Sequence, residues 1–98
     1  MKKTTEKRSP KWAYARKKHL KIEPNCQWCG VGTCLQVHHI VPFHLDRTLE
    51  LEPTNFITLC ETPNYNCHRR VGHLGSWTRI NPKVCEYCQE RQLKAKSI

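Results

Sequence analysis

Two adjacent histidines in an apolar segment are the first residues of this sequence that suggest chemistry. The segment LQVHHIVPF, at residues 35–43, has the character of a buried strand and contains His38 and His39 at its centre. A polar ring buried without a partner is costly, so two in succession need a reason. Successive side chains of a strand point to opposite faces, so we do not expect both rings to bind one ion. We predict that one histidine is a metal ligand and the other an acid–base group, rather than core residues held by backbone hydrogen bonds.

The spacing of the cysteines indicates a structural zinc site. The chain has seven cysteines, and the pattern favours zinc over disulfides. Cys26 and Cys29 are separated by two residues and followed by Gly30, an arrangement in which a tight turn directs two thiolates at one ion. Because a structural zinc ion takes four ligands, the sequence must supply a second pair.

Two pairs of cysteines compete for the remaining zinc positions. We expect Cys60 and Cys67, because the first ends a predicted strand and the second opens a predicted helix, where the helix dipole favours a thiolate. Cys85 and Cys88 are the rival pair, although their helical segment can simply place both on one buried face. Cys34 is expected to be a small buried residue or an exposed thiol.

The charge of the chain is unevenly distributed. The net charge is +9, and residues 1–21 carry nine Lys and Arg residues against the single acid Glu6. Such a segment indicates a polyanion partner, usually nucleic acid, with a solubilising tail as the alternative. No clear apolar face accompanies the charge, and no apolar run approaches the ~18 residues that span a bilayer, so we expect no membrane partner. The N-terminal residues lack the apolar core of a signal peptide, and we expect a cytoplasmic protein.

The predicted elements give a small, zinc-stabilised α+β fold. A chain of 98 residues is expected to form one domain that buries little apolar surface and needs a structural metal. Capping residues, prolines and β-branched runs predict helices over residues 10–22, 67–71 and 82–94, and strands over residues 35–41 and 56–60. The first helix would carry on one side Trp12, Ala15, His19 and Ile22. The single domain would comprise a basic arm and helix at 1–24, a core at 25–80 and a final helix at 81–98.

Residues 26–73 contain four segments that are informative in combination: CQWCG, VHHIVP, EPTNFITLC and CHRRVGH. In this order they resemble the HNH endonuclease family, the ββα-metal nucleases. The resemblance implies a ββα-metal, treble-clef-like core, which this chain flanks with an N-terminal basic helix and a C-terminal helix. The flanking segments look similar to those of small stand-alone members from phage and bacterial genomes.

The resemblance assigns roles to individual residues of this chain. His39 matches the general base that activates water, and His38 matches a metal ligand. Asn55 matches the central asparagine that orients the hairpin and the base. His68 matches the second ligand of the catalytic ion. Histidine at position 38, where the family often has aspartate, favours Mn²⁺, Ni²⁺ or Zn²⁺ over Mg²⁺.

The second cysteine pair departs from the spacing of the family. Family members often have Cys-x2-Cys-His, whereas this chain has Cys60-x6-Cys67-His68. His73 is therefore an alternative ligand. It follows His68 by five residues and lies beyond Gly72, so we do not expect the two histidines on one helical face.

The resemblance implies metal-dependent hydrolysis of double-stranded DNA with weak sequence preference, without an organic cofactor. The expected phosphate contacts are Lys11, Arg16, Lys17, Lys18, Arg69, Arg70 and Arg79. A non-catalytic zinc-finger module that binds DNA is the first alternative, since the same cysteines and basic arm would serve it. A zinc-stabilised adaptor for a protein partner, such as phage packaging proteins, is the second. The HHI…Asn…His set distinguishes the nuclease, because a pure binder does not need it.

Overall fold

The computed structural model describes residues 9–96 and confirms a small α+β fold built on a two-stranded sheet. Its regular elements are α1 (Trp12–Ile22), β1 (Leu35–His39), β2 (Phe56–Cys60), a π-helical turn (His68–Gly72) and α2 (Val84–Lys96). Two 3-10 turns, Arg47–Leu49 and Pro53–Asn55, lie between the strands. The basic arm predicted over residues 1–8 lies outside the described residues. Across residues 9–96, no helix is long and apolar enough to cross a membrane.

The second strand of the antiparallel sheet has its predicted bounds, and the first is shorter than predicted. β1 pairs with β2 so that His38 faces Ile57 and His39 faces Phe56 across the ladder. The predicted strand over residues 35–41 ends two residues early, at His39. Beyond it, the chain is held by Asn55, whose side-chain oxygen accepts a hydrogen bond from Val41 N at 2.8 Å. The Ile40 N–H still donates to the Asn55 carbonyl at 2.8 Å, and side-chain bonding replaces backbone pairing from Val41 onward.

Helix α1 begins later than predicted because a residue before it bonds to a distant part of the chain. The Ser9 backbone N–H donates to the Glu50 carboxylate at 2.9 Å, and the Ser9 hydroxyl accepts from Lys11 N at 3.1 Å. The first helical residue is Trp12 rather than residue 10. Ile22 borders the same groove as Ala15 and His19, as predicted for residues on one side of the helix, although it is 73% exposed.

The C-terminal end of α1 is hydrogen-bonded to the sheet. The Glu23 carboxylate accepts from Thr58 N at 2.9 Å, and the Glu23 carbonyl accepts from the Thr58 hydroxyl at 2.8 Å. His19 lies edge-on to the Phe56 ring, with centroids 5.5 Å apart. Pro24 follows and prevents the helix from continuing.

The core is small, and cysteine makes up much of it. Its buried cluster consists of Cys26, Ile57, Leu59, Cys60, Cys67, Val71, Val84 and Cys88. Four of these eight side chains are thiols, so little aliphatic surface is buried on folding. A domain of this kind depends on a further stabilising element, which a metal ion supplies in many small proteins.

Helix α2 packs against the turn that contains the first cysteine pair. The Arg91 guanidinium donates from Nε to the Trp28 carbonyl at 2.8 Å and lies 4.6 Å from the centroid of the Trp28 ring. The Gln92 amide donates to the Gln27 carbonyl at 2.8 Å. The helix begins at Val84, two residues later than predicted.

The short helix predicted over residues 67–71 is instead the π-helical turn His68–Gly72. Gly72 packs against both strands, where an added Cβ would lie 3.0 Å from Leu59 Cδ1 of β2 and 3.3 Å from the His38 ring of β1. A side chain at position 72 would therefore push this turn away from His38.

Candidate metal centres and active site

Four cysteines converge beside the sheet, and they are the four that the sequence favours. The sulfur atoms of Cys26, Cys29, Cys60 and Cys67 all lie within 4.8 Å of one another. The Cys29 backbone N–H points at Cys26 Sγ at 3.5 Å, as expected for a tight turn around a metal site. Four thiols at this separation fit a structural zinc ion, whose site is normally tetrahedral and rich in cysteine.

The protonation chemistry of the cluster also fits a cation. Burial opposes ionisation of Cys60, but hydrogen bonds from the backbone of Cys67 and from Thr62 lower the pKa of this thiol to about 6. Burial, followed by the neighbouring Cys26, raises the pKa of Cys67. One thiolate in such a cluster therefore disfavours the next, unless a bound cation compensates the charge.

The rival pair is not part of this cluster. Among residues 9–96, neither metal-ligating group includes Cys85 or Cys88. Cys88 is buried in the core, and burial raises its pKa to about 12, as expected for a packed thiol. Cys34 is exposed and adopts a left-handed backbone conformation, with φ of 54°.

Three histidines form a second cluster, on the side of the sheet where His38 lies. One ring nitrogen from each of His38, His68 and His73 lies within 4.8 Å of the others. The ring centroids of His68 and His73 are 5.0 Å apart. Our expectation that these two would lie on different faces was wrong, because a π-helical turn closes over five residues rather than four. His73 therefore joins His68 instead of replacing it.

Hydrogen bonds from these rings determine which nitrogens carry lone pairs. His68 donates from Nδ1 to the Glu61 carboxylate at 2.8 Å, and His73 donates from Nδ1 to the Arg79 carbonyl at 2.8 Å. With its proton on Nδ1, His68 accepts at Nε2 from His38 Nδ1, 3.0 Å away. The His68 Nε2 lone pair is therefore directed at His38 Nδ1, and the lone pairs of His38 and His73 are also on Nε2.

One ring nitrogen of His38 is buried without a hydrogen-bond partner. Within residues 9–96, the one buried side-chain nitrogen or oxygen without a hydrogen-bond partner is His38 Nε2. Burial, reinforced by His68 and His73, lowers the pKa of His38 to about 3, so the ring is neutral at physiological pH. A neutral imidazole with an unpaired, buried lone pair fits a divalent cation.

His39 is held on the opposite face of the strand in a different environment. Its Nε2–H donates to the Glu50 carbonyl at 2.8 Å, which leaves the lone pair on Nδ1. The ring lies 4.6 Å from the Trp12 ring and 5.2 Å from the Phe56 ring, between centroids. The histidine pair is therefore divided between a three-histidine cluster and a separately oriented imidazole.

Asn55 organises the connection between these two regions. Its amide nitrogen donates to the carbonyls of Val41 at 3.1 Å and Leu49 at 3.3 Å. The Leu49 carbonyl adjoins Glu50, which accepts from His39. Asn55 is buried and bonds at both ends of the loop after β1, so it lies where an orienting residue would act.

A groove of about 600 Å³ borders both groups of histidines. Although His38 and His39 point to opposite faces, both reach this groove, because His39 is the last residue of β1. Residues on its walls include His38, His39, His44, His68, His73 and Trp77. His44 is exposed on the wall and belongs to neither metal-ligating cluster of the described residues.

The predicted phosphate-binding residues are spread over several surfaces. Arg79 borders the histidine groove, whereas Arg70 borders a separate groove beside the four-cysteine cluster. Lys11 and Lys18 border an apolar groove along α1, and Lys17 is exposed on the same helix. The basic side chains therefore surround the core rather than lining a single channel.

Three of the predicted arginines also have a structural function. The Arg16 guanidinium donates to the Leu35 carbonyl at 3.3 Å. Arg69 donates to the Gly75 carbonyl at 2.7 Å, and Arg79 donates to the Leu74 carbonyl at 3.4 Å. Substitution of these arginines would disturb loops as well as remove charge.

Two residues that orient the site were not predicted from the sequence. Glu61 orients His68 through its carboxylate, and Glu50 orients His39 through its carbonyl. Glu61 directly follows Cys60, which ends β2 and was a predicted zinc ligand. That position was the signal that could have identified Glu61. No side-chain pattern identifies Glu50, because it acts through its backbone.

The comparisons with known proteins agree with this geometry. A family model described as HNH endonuclease matches residues 24–74, just over half of the chain. The matched range contains His39, Asn55 and both clusters that could hold a metal ion. No curated protein and no solved structure matches the chain. From the extent of the family match, the chain belongs to the HNH endonuclease family.

Proposed function

We propose that this chain is a metal-dependent endonuclease that hydrolyses phosphodiester bonds of double-stranded DNA with low sequence specificity. Membership of the family supports a nuclease and DNA-binding role in general. The observation that carries the finer proposal is the pairing of a three-histidine cluster with the separately oriented His39 along one groove. Hydrolysis of a phosphodiester needs both an activated water molecule and stabilisation of negative charge.

The three-histidine cluster is the proposed holder of the catalytic ion. His38, His68 and His73 would bind it through imidazole nitrogens, which suit Mn²⁺, Ni²⁺ or Zn²⁺ better than Mg²⁺. A divalent ion in this position supplies charge stabilisation at the scissile phosphate and the departing oxygen. The four cysteines would hold a separate structural zinc ion.

His39 is the proposed general base. Its Nδ1 would accept a proton from water, while the Glu50 carbonyl fixes the ring and stabilises the imidazolium that forms. Asn55 is proposed to position this pair by holding the loop next to Glu50. All three contributions come from residues that are buried and therefore fixed in place.

The proposal is tested by incubating supercoiled plasmid with zinc-loaded protein across a series of added divalent ions. We expect nicked or linear products with at least one of Mn²⁺, Ni²⁺, Mg²⁺ or Zn²⁺. Metal must be varied by dialysis rather than by a strong chelator, since a chelator would also strip the four-cysteine site. DNA binding without cleavage under every metal condition would contradict the proposal and favour a zinc-finger binding module.

Glu61 is predicted to strengthen the binding of a divalent ion by the three-histidine cluster. Its carboxylate fixes the tautomer of His68, and loss of such an outer partner typically weakens metal binding about 10–100-fold. Glu61→Ala should show this loss in calorimetric titration of zinc-loaded protein, and Glu61→Gln should lose less, because the amide oxygen still accepts. Glu90→Gln, an exposed change of charge on α2, is the control. Equal affinities for wild type and Glu61→Ala would refute the role.

The salt dependence of DNA binding is predicted to report on the basic arm. Residues 1–8 carry Lys2, Lys3, Lys7 and Arg8, and each phosphate contact contributes about 0.9 to the slope of log affinity against log salt. Deleting residues 1–8 should reduce the slope by up to about 3.6, with little change in sequence preference. Replacing the four cations by glutamine keeps the length and should give the same result. An unchanged slope would mean that the arm does not contact DNA.

A role in phage DNA processing or packaging, in the cytoplasm of a bacterial host, completes the proposal. Its support is the similarity of the flanking segments to small stand-alone members of the family. Retention of phage packaging proteins by the immobilised chain would support this role, and retention of DNA alone would argue against it.

A further inference from the structure

Trp77 occupies an unusual position for a large aromatic residue. It is 50% exposed, yet its ring centroid lies 5.0 Å from those of both His68 and His73. It forms part of the wall of the histidine groove. An aliphatic side chain would shield the histidine rings equally well. The indole instead presents flat aromatic surface at the edge of the proposed catalytic cluster.

The loop that carries Trp77 is held in place by its own hydrogen bonds. His73 Nδ1–H donates to the Arg79 carbonyl at 2.8 Å, which closes the loop around the indole. Gly75 N donates to the Arg69 carbonyl at 2.8 Å, and the Arg69 side chain donates to the Gly75 carbonyl at 2.7 Å. The backbone of the loop on either side of Trp77 is therefore held in place before any ligand arrives.

Backbone strain marks the same loop. Leu74 has φ of 53°, a left-handed conformation that costs a non-glycine residue free energy, and Gly75 follows with φ of 92°. This reversal allows the chain to pass back over the histidines within a few residues. The strained turn serves to bring Trp77 to the groove.

We propose that Trp77 is a stacking platform for one unstacked nucleobase adjacent to the scissile phosphate. This inference rests on the proposed nuclease function and adds a base-binding subsite to it. Stacking on an aromatic ring tolerates every base, which agrees with low sequence specificity. In a perfect duplex the faces of the bases are covered by their neighbours, so the subsite favours DNA with an unpaired or displaced nucleotide. The +9 charge of the chain provides the matching attraction for the strand.

The test compares two duplexes that differ by one base. Both contain a single-nucleotide bulge, which is adenine in one and an abasic site in the other, so that backbone flexibility is similar and only the base is lost. Wild type should cleave the adenine bulge about 5–150-fold faster, the range that corresponds to 1–3 kcal/mol of base–aromatic stacking. Trp77→Leu should abolish this ratio, and Trp77→Phe should retain part of it. The ratio is measured within each protein, so differences in metal loading cancel.

The same two duplexes separate failure of the subsite from failure of the proposed function. Equal adenine-to-abasic ratios in wild type and Trp77→Leu would overturn the subsite and leave the nuclease standing. If wild type cleaves neither duplex with any divalent ion, the nuclease proposal fails. Fluorescence anisotropy then measures the ratio of binding affinities for the two duplexes. A ratio lost in Trp77→Leu supports the subsite, and an unaltered ratio overturns it.

Discussion

Removing the metal from the four-cysteine cluster is expected to unfold the protein. Apparent binding free energies of structural zinc are about 10–16 kcal/mol, which is comparable with the whole stability of a typical domain. Here the thiols of Cys26, Cys60 and Cys67 lie inside the buried core, so the site and the core are the same structure. Loss of the ion would leave mutually repelling thiolates, or protonated thiols without a ligand, inside the core.

The measurement is thermal unfolding followed by circular dichroism, with zinc content determined by elemental analysis. Strong chelation and Cys26→Ser should both abolish the cooperative transition. Cys34→Ser is the matched control, because Cys34 is exposed and lies outside the cluster, and it should be close to wild type. Cys85→Ser should be milder than Cys26→Ser, since the half-buried Cys85 is no cluster member. A folded sample that contains no tightly bound zinc would refute the prediction.

The four-cysteine cluster was predictable because its members follow local rules. At Cys26 and Cys29 the two-residue spacing closes a tight turn, because Gly30 follows it and adopts a φ of 85°. The same spacing at Cys85 and Cys88 lies within helix α2 and forms no such turn. The choice of Cys60 and Cys67 followed from a β-branched strand that ends at the first of them. The second strand was confirmed with its predicted bounds. Its β-branched and aromatic residues were a clear signal, and every one of its residues is buried.

The three-histidine cluster was only partly predictable, because its closure depends on tertiary contacts. Helical periodicity separates His68 from His73, and only the wider π-helical turn brings them together. That turn packs against the first strand through Gly72, whose missing side chain leaves room for the His38 ring. The late start of α1 has a similar cause, since Ser9 bonds to Glu50, a residue 41 positions away. Trp77 lies in a turn-rich segment without periodicity, so no sequence pattern identified it.

Replacing His38 or His39 by alanine is expected to abolish or slow cleavage for different reasons. His39 bonds to the Glu50 carbonyl and is no member of the metal-ligating cluster, so His39→Ala should keep metal and DNA binding. Loss of a general base typically lowers the rate about 10²–10⁴-fold. His38→Ala should lose cleavage by losing the catalytic ion, and excess metal should restore part of it. His68→Ala should resemble His38→Ala, and Asn55→Ala should lower the rate by misorienting the base.

The experiment pairs calorimetric titration of divalent ions with plasmid cleavage for each variant, starting from zinc-loaded protein. His39→Gln is a second test of the base, because its amide can still donate to the Glu50 carbonyl but cannot accept a proton from water at neutral pH. His44→Ala is the matched control, since His44 borders the same groove outside both clusters. If His39→Ala loses the added ion as completely as His38→Ala, both histidines are ligands and the division of roles is wrong. If His73→Ala binds the ion as tightly as wild type, the catalytic ion is held by His38 and His68 without it.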